Sequence, residues 1–317
     1  MQGVAPIDTY ACGHPKVGHG ADLTAGDAVE DGPWIYSRVV SSGFFHSDKS
    51  GGARTDDLVT CWRSGAITLH VSDAKGTFEK TVQLVDPAAD KRWKDATSIV
   101  AGNFTGSTSN DLFVRWKGGE VSLFKNVTPV RGLKEEIKLA LPSGDEAVWK
   151  RNVVGLTSGR FKAGKTSDDL VVLWTDGEIT RYTVDAKGFH DQDRLHEADD
   201  AWRPVAGISA GHFDGTGDTT PNDLMVRWND GRVSLHEDVP RNGVGKRTDL
   251  PGKDPRWADS LVTAGNHDAG KGGRDDLVVR RPDGRLSRYA RVTKAGLGVE
   301  TTLAEPVTLL GERAGLG

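Results

Sequence analysis

The sequence predicts an all-β protein, a five-bladed β-propeller with four antiparallel strands in each blade. Three observations predict it. One unit recurs five times at intervals of 53–59 residues. Each unit contains strand-type alternation broken by tight turns, and no segment sustains a 3.6-residue apolar period.

The recurrence is plain in TDDLVTCWRSGAITLHV, SNDLFVRWKGGEVSLFK, SDDLVVLWTDGEITRYT, PNDLMVRWNDGRVSLHE and RDDLVVRRPDGRLSRYA. Their shared leucines are Leu58, Leu112, Leu170, Leu224 and Leu277. Upstream of each leucine stands a tryptophan: Trp34, Trp93, Trp149, Trp202 or Trp257. Between the two lies a third landmark, GFF at 43–45, GNF at 102–104, GRF at 159–161, GHF at 211–213 and GNH at 265–267. Three landmarks in one order, five times over, define a repeat protein.

Each element of the unit has a local reason. VAGISAGHF (205–213) and its counterparts read as a short first strand whose glycines permit close approach at a crowded centre. DLMVRW and GRVSLH form a hairpin around Asn229-Asp230-Gly231, residue types that accept positive φ. A fourth strand follows a further loop, as in TVQLV, EEIKLA, KRTDLP and ETTLAE. A twisted four-stranded sheet with two apolar faces cannot bury both alone. Stacking blades face to face buries them, and closing the ring leaves only short edges.

The predicted layout is an N-terminal extension (1–33), one propeller (34–304) and a C-terminal tail (305–317). The blades span about 34–92, 93–148, 149–201, 202–256 and 257–304. GADLTAGDAVEDGPW (20–34) resembles RTDLPGKDPRW (247–257), so the extension is expected to help close the ring.

Composition narrows the function. Lysine plus arginine number 41 against 45 acidic residues, with no basic run, which argues against nucleic acid as partner. No stretch approaches the roughly 18 apolar residues of a membrane helix. Forty glycines suit many tight turns. Cys12 and Cys61 either pair, in an oxidising compartment, or are two buried thiols. Met1 before a polar, glycine-rich stretch reads as an added start on a mature secreted chain.

Topology sorts the loops. The second-to-third hairpin and the connection to the next blade share one face, and the other two loops share the opposite face. Trp34, Trp93, Trp149, Trp202 and Trp257 are the candidate sugar-binding residues, as a ring of aromatic platforms. The alternative is that each is a wedge packing one blade on the next. Trp62, Trp116, Trp174 and Trp228, replaced by Arg281 in the fifth copy, read mainly as core. Arg115, Arg227 and Arg280 on the alternate strand face read as inter-blade salt-bridge partners or ligand donors.

The acid pairs Asp56-Asp57, Asp168-Asp169 and Asp275-Asp276, with Asn110-Asp111 and Asn222-Asp223, precede each second strand. Capping of turns by accepting backbone N–H bonds is their first reading. Calcium needs six to eight oxygens, and only HFDGTGDTTPND (212–223) comes near, with Asp214, Asp218 and Asp223. No other cofactor is expected. The nine histidines are scattered, with no H-E-x-x-H, G-x-S-x-G or P-loop, so the chain is expected not to be an enzyme. A non-repeated site across the ring is the third possibility.

The units resemble FG-GAP/VCBS-type propeller repeats of secreted actinobacterial proteins, with GHFDGTGDTTPNDLMVRWNDGRVSLHEDV closest to the pattern. The five-fold count is similar to tachylectin-2-like five-bladed lectins. This resemblance implies a secreted, multivalent module that binds glycans at equivalent sites between blades. It also implies, as the other reading, a protein-docking or targeting scaffold, such as the lectin component of a secreted toxin assembly. Blade 5 departs from the pattern at His267 and Arg281, which predicts a weak or empty fifth site.

Overall fold

The computed structural model describes residues 34–46, 55–73, 75–142, 144, 146–162, 166–213, 222–268 and 274–306. Blade 1 consists of β1 (Ser37–Gly43), β2 (Asp57–Trp62), β3 (Ile67–Ser72) and β4 (Phe78–Val85). Blade 2 has β5 (Ala96–Gly102), β6 (Asp111–Trp116), β7 (Val121–Phe124) and β8 (Glu136–Leu139). Blade 3 follows a single short helix, α1 (Glu146–Asn152). It holds β9 (Val153–Gly159), β10 (Asp169–Trp174), β11 (Ile179–Asp185) and β12 (Gly188–His196). Blade 4 comprises β13 (Val205–Gly211), β14 (Asp223–Trp228), β15 (Val233–Glu237) and β16 (Lys246–Asp249). Blade 5 comprises β17 (Leu261–Gly265), β18 (Asp276–Arg280), β19 (Leu286–Ala290) and β20 (Val299–Ala304).

Every sheet has its four strands in chain order and every pairing is antiparallel. The first strands β1, β5, β9, β13 and β17 neighbour one another in a closed circle around the axis. The predicted five-bladed propeller is therefore the observed fold. Helices are scarce among the described residues, as expected: α1 has seven residues and sits in the longest inter-blade connection.

Glycine turns the second-to-third hairpin in all five blades. Gly65, Gly119, Gly177, Gly231 and Gly284 all have φ between +84° and +105°, a region costly for other residues. Each packs on the entrance turn of the next blade, and Gly284 meets Ile35 across the ring closure. Hairpins and inter-blade connections thus share a face, as the topology requires.

The core divides into five clusters, one per inter-blade interface. Trp93 packs among Val59, Ile67 and Leu69 of blade 1 and Leu112, Val114 and Trp116 of blade 2. Trp149, Trp202, Trp257 and Trp34 occupy the same place in the other four. The strand pleat explains the arrangement: Leu58 faces the cluster behind its blade while Val59 faces the one ahead.

The paired acids lock this arrangement. The first member of each pair reaches back to the preceding blade. Asp168 accepts the Asn103 N–H at 2.7 Å, Asp275 the His212 N–H at 2.8 Å, and Asp56 the Asn266 N–H at 2.8 Å. Asn222 does the same for Arg160. In return, the main-chain N–H of Asp56, Asn110, Asp168, Asn222 and Asp275 donates to the previous blade's carbonyl at 2.6–2.8 Å. The second member caps its own blade. Asp57 accepts from Phe45 and Ser72, Asp111 from Thr105 and Asn126, and Asp223 from Phe213 and Asp238. Capping is thus what these carboxylates do.

Among the described residues, blade 5 closes on blade 1 without exchanging a strand. His267, fully buried where the other blades place phenylalanine, makes the difference. Its Nδ1–H donates to the Asp56 carbonyl at 2.9 Å, which leaves Nε2 to accept from the Ser42 hydroxyl at 2.9 Å. Arg280 adds bonds to Ser37 Oγ at 3.1 Å and Ser37 O at 3.0 Å. Residues 1–33, to which a share in closure was assigned, lie outside the described residues, as does Cys12. Cys61 is buried with a free thiol that accepts from Arg38, and burial pushes its pKa up.

Candidate functional site

The five entrance tryptophans are only 1–9% exposed. Four of them lie against the hairpin tryptophan of their own repeat, with ring centroids 5.1–5.5 Å apart (Trp34–Trp62, Trp93–Trp116, Trp149–Trp174 and Trp202–Trp228). Trp257 instead carries the Arg281 guanidinium at 4.2 Å. A sugar could stack on one of these faces only by displacing a blade, so the exposed platforms expected of them are absent. They act as wedges, each burying a large indole in the core cluster between two blades.

Of the proposed calcium ligands, Asp214 and Asp218 lie outside the described residues. Asp223 gives both carboxylate oxygens to main-chain N–H groups at 2.8 Å. Among the described residues, no group of three His, Cys, Asp or Glu side chains is placed to hold a metal.

The alternate-face arginines tie blades together through carbonyls rather than ion pairs. Arg115 donates to Trp149 O and Arg227 to Trp257 O, each at 2.7 Å. Burial lowers both to about 10, which keeps them charged at neutral pH. Blade 1 has Cys61 at this position, and Arg38 from β1 supplies the bond to Trp93 O instead.

The hairpin tryptophans carry a feature that strand alternation does not show. Each indole N–H donates to a hydroxyl six residues on: Thr68, Ser122, Thr180 and Ser234, at 2.8–3.0 Å. Where that hydroxyl leads differs by blade. In blades 1 and 4 it meets a buried imidazole, His70 at 3.0 Å and His236 at 3.3 Å. In blades 2 and 3 it donates to a partly exposed carboxylate held by an arginine. Ser122 donates to Glu136 at 2.8 Å and Thr180 to Glu178 at 2.7 Å. Arg92 grips both oxygens of Glu136 at 2.8 and 2.9 Å, and Arg194 meets Glu178 at 3.1 Å. Glu136 and Arg92 stand 44 residues apart, a pairing that only the blade geometry reveals.

These two blades open grooves on the hairpin face, on either side of α1. The larger, about 750 Å³, has Trp116, Val121 and Leu139 at its base, with Arg92 lying 4.6 Å over the Trp116 ring. Lys117, Lys138 and Lys150 line it together with Glu120 and Glu146, all exposed. None of these five forms an ion pair among the described residues. The smaller groove, about 280 Å³, runs between Val148 and Asn152 on α1 and Trp174, Glu178, Tyr182 and Gln192 of blade 3. Burial and the nearby Glu178 push Tyr182 up to about 12, so it stays a neutral hydroxyl. In blade 4, by contrast, Arg232 and Arg247 cover Trp228 at 5.0 and 4.6 Å. In blade 5, Arg281 donates to the Tyr289 hydroxyl and leaves Ser287 Oγ buried without a hydrogen-bond partner.

No family model and no curated protein matches the sequence. Solved structures do match in shape. The Dos1 propeller is 15% identical, with 80% of this chain and 56% of that one covered and a TM-score of 0.35. The chain therefore spans a little over half the length of that structure. The BBS1N–ARL6DN complex, soaked with lead, is 15% identical over 82% of this chain and 68% of that one, TM-score 0.38. The BP39L lectin from Burkholderia pseudomallei is 16% identical over 85% and 69%, TM-score 0.42. Among the described residues, no helix is long and apolar enough to cross a membrane.

Proposed function

We infer that the chain is a carbohydrate-binding propeller that holds glycans, without transforming them, in the two grooves beside α1. The observation that carries this reading is the Trp116–Ser122–Glu136–Arg92 circuit at the base of the larger groove. Each sugar hydroxyl both donates and accepts, so neighbouring hydroxyls suit a surface where fixed donors and acceptors alternate. Here Arg92 and three lysines donate while Glu120, Glu136 and Glu146 accept, over an apolar base. Charge-assisted hydrogen bonds of this kind are roughly twice as strong as neutral ones.

The circuit in blade 3 repeats the chemistry, which supports two-point attachment to a glycan-coated surface. Sites of millimolar strength, about −4 kcal/mol each, gain avidity when two engage one surface. Blades 1 and 4, whose circuits end on buried imidazoles, and blade 5, which lacks the tryptophan, are assigned no sugar. The ligands are side-chain nitrogens and oxygens, so binding needs no metal.

A glycan array probed with the full chain tests the reading. Signal is expected that survives EDTA and falls at least about tenfold in an Arg92→Ala, Glu178→Ala double variant, the loss expected for removing charged hydrogen bonds. Absence of any glycan signal, or signal indifferent to both substitutions, overturns it.

A further inference from the structure

The propeller axis opens on the face opposite the grooves into a cavity of about 520 Å³. Its wall is built from the G-x-F landmark and the acid latch of every blade. The positions in that wall obey two different rules. The glycines are fixed by space: a Cβ on Gly43 would lie 2.7 Å from Ala101 Cβ, on Gly211 2.9 Å from Ala264 Cβ, and on Gly265 2.8 Å from Ser42 Cβ. The latch residues are fixed by their bonds to the preceding blade and are always Asp or Asn.

The middle residue of G-x-F is different. In the latch it contributes its main chain, giving its N–H to the Asp or Asn side chain or its carbonyl to the N–H behind it. The latch at this position is made by main chain, and the side chains of the five copies are chemically diverse: Phe44, Asn103, Arg160, His212 and Asn266. All five line the same cavity. Within one chain, five copies of one unit keep what the fold requires and diverge elsewhere. Divergence at a position that faces a shared cavity makes that cavity asymmetric. Asn103 adds a direct sign of capacity. Its Nδ2 donates to Thr166 O at 3.1 Å, while its buried Oδ1 has no hydrogen-bond partner.

We propose that this axial mouth is a second, single-copy ligand site, independent of the grooves, for a small hydroxyl-rich ligand such as the terminal sugar unit of a glycan. The wall sets three latch carboxylates, each already holding a main-chain N–H, beside four amides, one guanidinium and one imidazole, so it offers both donors and acceptors to neighbouring hydroxyls. Phe44 supplies one apolar patch for a sugar's C–H face. The volume lies within the range of small-molecule sites. With grooves on one face and the mouth on the other, one molecule is able to bridge two glycan-bearing surfaces.

The test uses the full chain with both grooves disabled (Arg92→Ala, Glu178→Ala). Saturation-transfer NMR is run with methyl glycosides of glucose, galactose, mannose and N-acetylglucosamine at millimolar concentration. Transfer to at least one glycoside is expected. Adding Asn103→Ala and His212→Ala should weaken that binding about tenfold in a protein whose circular-dichroism spectrum stays that of the folded propeller. No transfer in the groove-disabled protein overturns the proposal. So does transfer that the added substitutions leave intact, or loss of the folded spectrum with them, because the side chains then serve the fold. Failure of the groove reading shows separately, as identical behaviour of wild-type and groove-disabled protein.

Discussion

Replacement of His267 by phenylalanine, the residue of the other four blades, should flatten the protein's response to acid. Burial holds His267 down to about 4, against an ordinary value of 6.5. A base whose folded pKa is depressed binds its proton more tightly in the unfolded chain. Its contribution to stability is therefore complete above pH 6.5 and is lost as pH falls towards 4. Integrated from pH 7 to pH 4, one such group removes about 3 kcal/mol. At pH 7 the variant leaves the Asp56 carbonyl and the Ser42 hydroxyl without their imidazole partner. That should cost about 1–3 kcal/mol. Urea unfolding followed by tryptophan fluorescence at both pH values checks this. The wild type is expected to lose about 3 kcal/mol more than the variant between pH 7 and pH 4. His70 and His236, also lowered to about 4 by burial, keep both proteins acid-sensitive. Equal acid sensitivity in the two proteins would refute a neutral closure histidine.

Other substitutions probe the remaining parts. Trp93→Ala should cost about 3–5 kcal/mol in chemical denaturation, as for an aromatic core truncation, whereas an exposed sugar platform would cost little. Ser234→Ala removes the acceptor of the Trp228 indole and should lose about 1–3 kcal/mol. Ser287→Ala, at the equivalent place in blade 5, removes a hydroxyl that has no partner and should be neutral or stabilising by the same assay. Asp168→Ala unlatches blade 3 from the Asn103 N–H and should cost about 1–3 kcal/mol, visible as a lower urea midpoint.

The blade architecture was legible because the fold imposes the same demands five times. Gly65 and its counterparts need positive φ, Leu58 and its counterparts face one interface, and Asp57 and its counterparts cap one loop. Repetition turns each into a landmark. The role of the entrance tryptophans was not legible, because a wedge and a platform call for the same side chain, and only the neighbouring blade decides which it is. The grooves were hidden for a different reason. Arg92 meets Glu136, and α1 inserts beside them, in ways that differ from blade to blade. A search for repeats highlights what is common and passes over such exceptions. The variable residue of G-x-F was visible in all five copies, but only the closed ring shows that the five positions share one cavity.

The nine tryptophans offer the most direct test of the groove as a sugar site. In a ¹⁵N-labelled protein, each indole N–H gives its own NMR signal, and titration with the strongest glycan from the array reports which of them sense the ligand. The signals of Trp116 and Trp174, whose N–H groups feed the two groove circuits, are expected to move, while those of Trp34, Trp228 and Trp257 stay in place. Movement confined to the entrance tryptophans, or no movement at saturating glycan, would contradict the assignment.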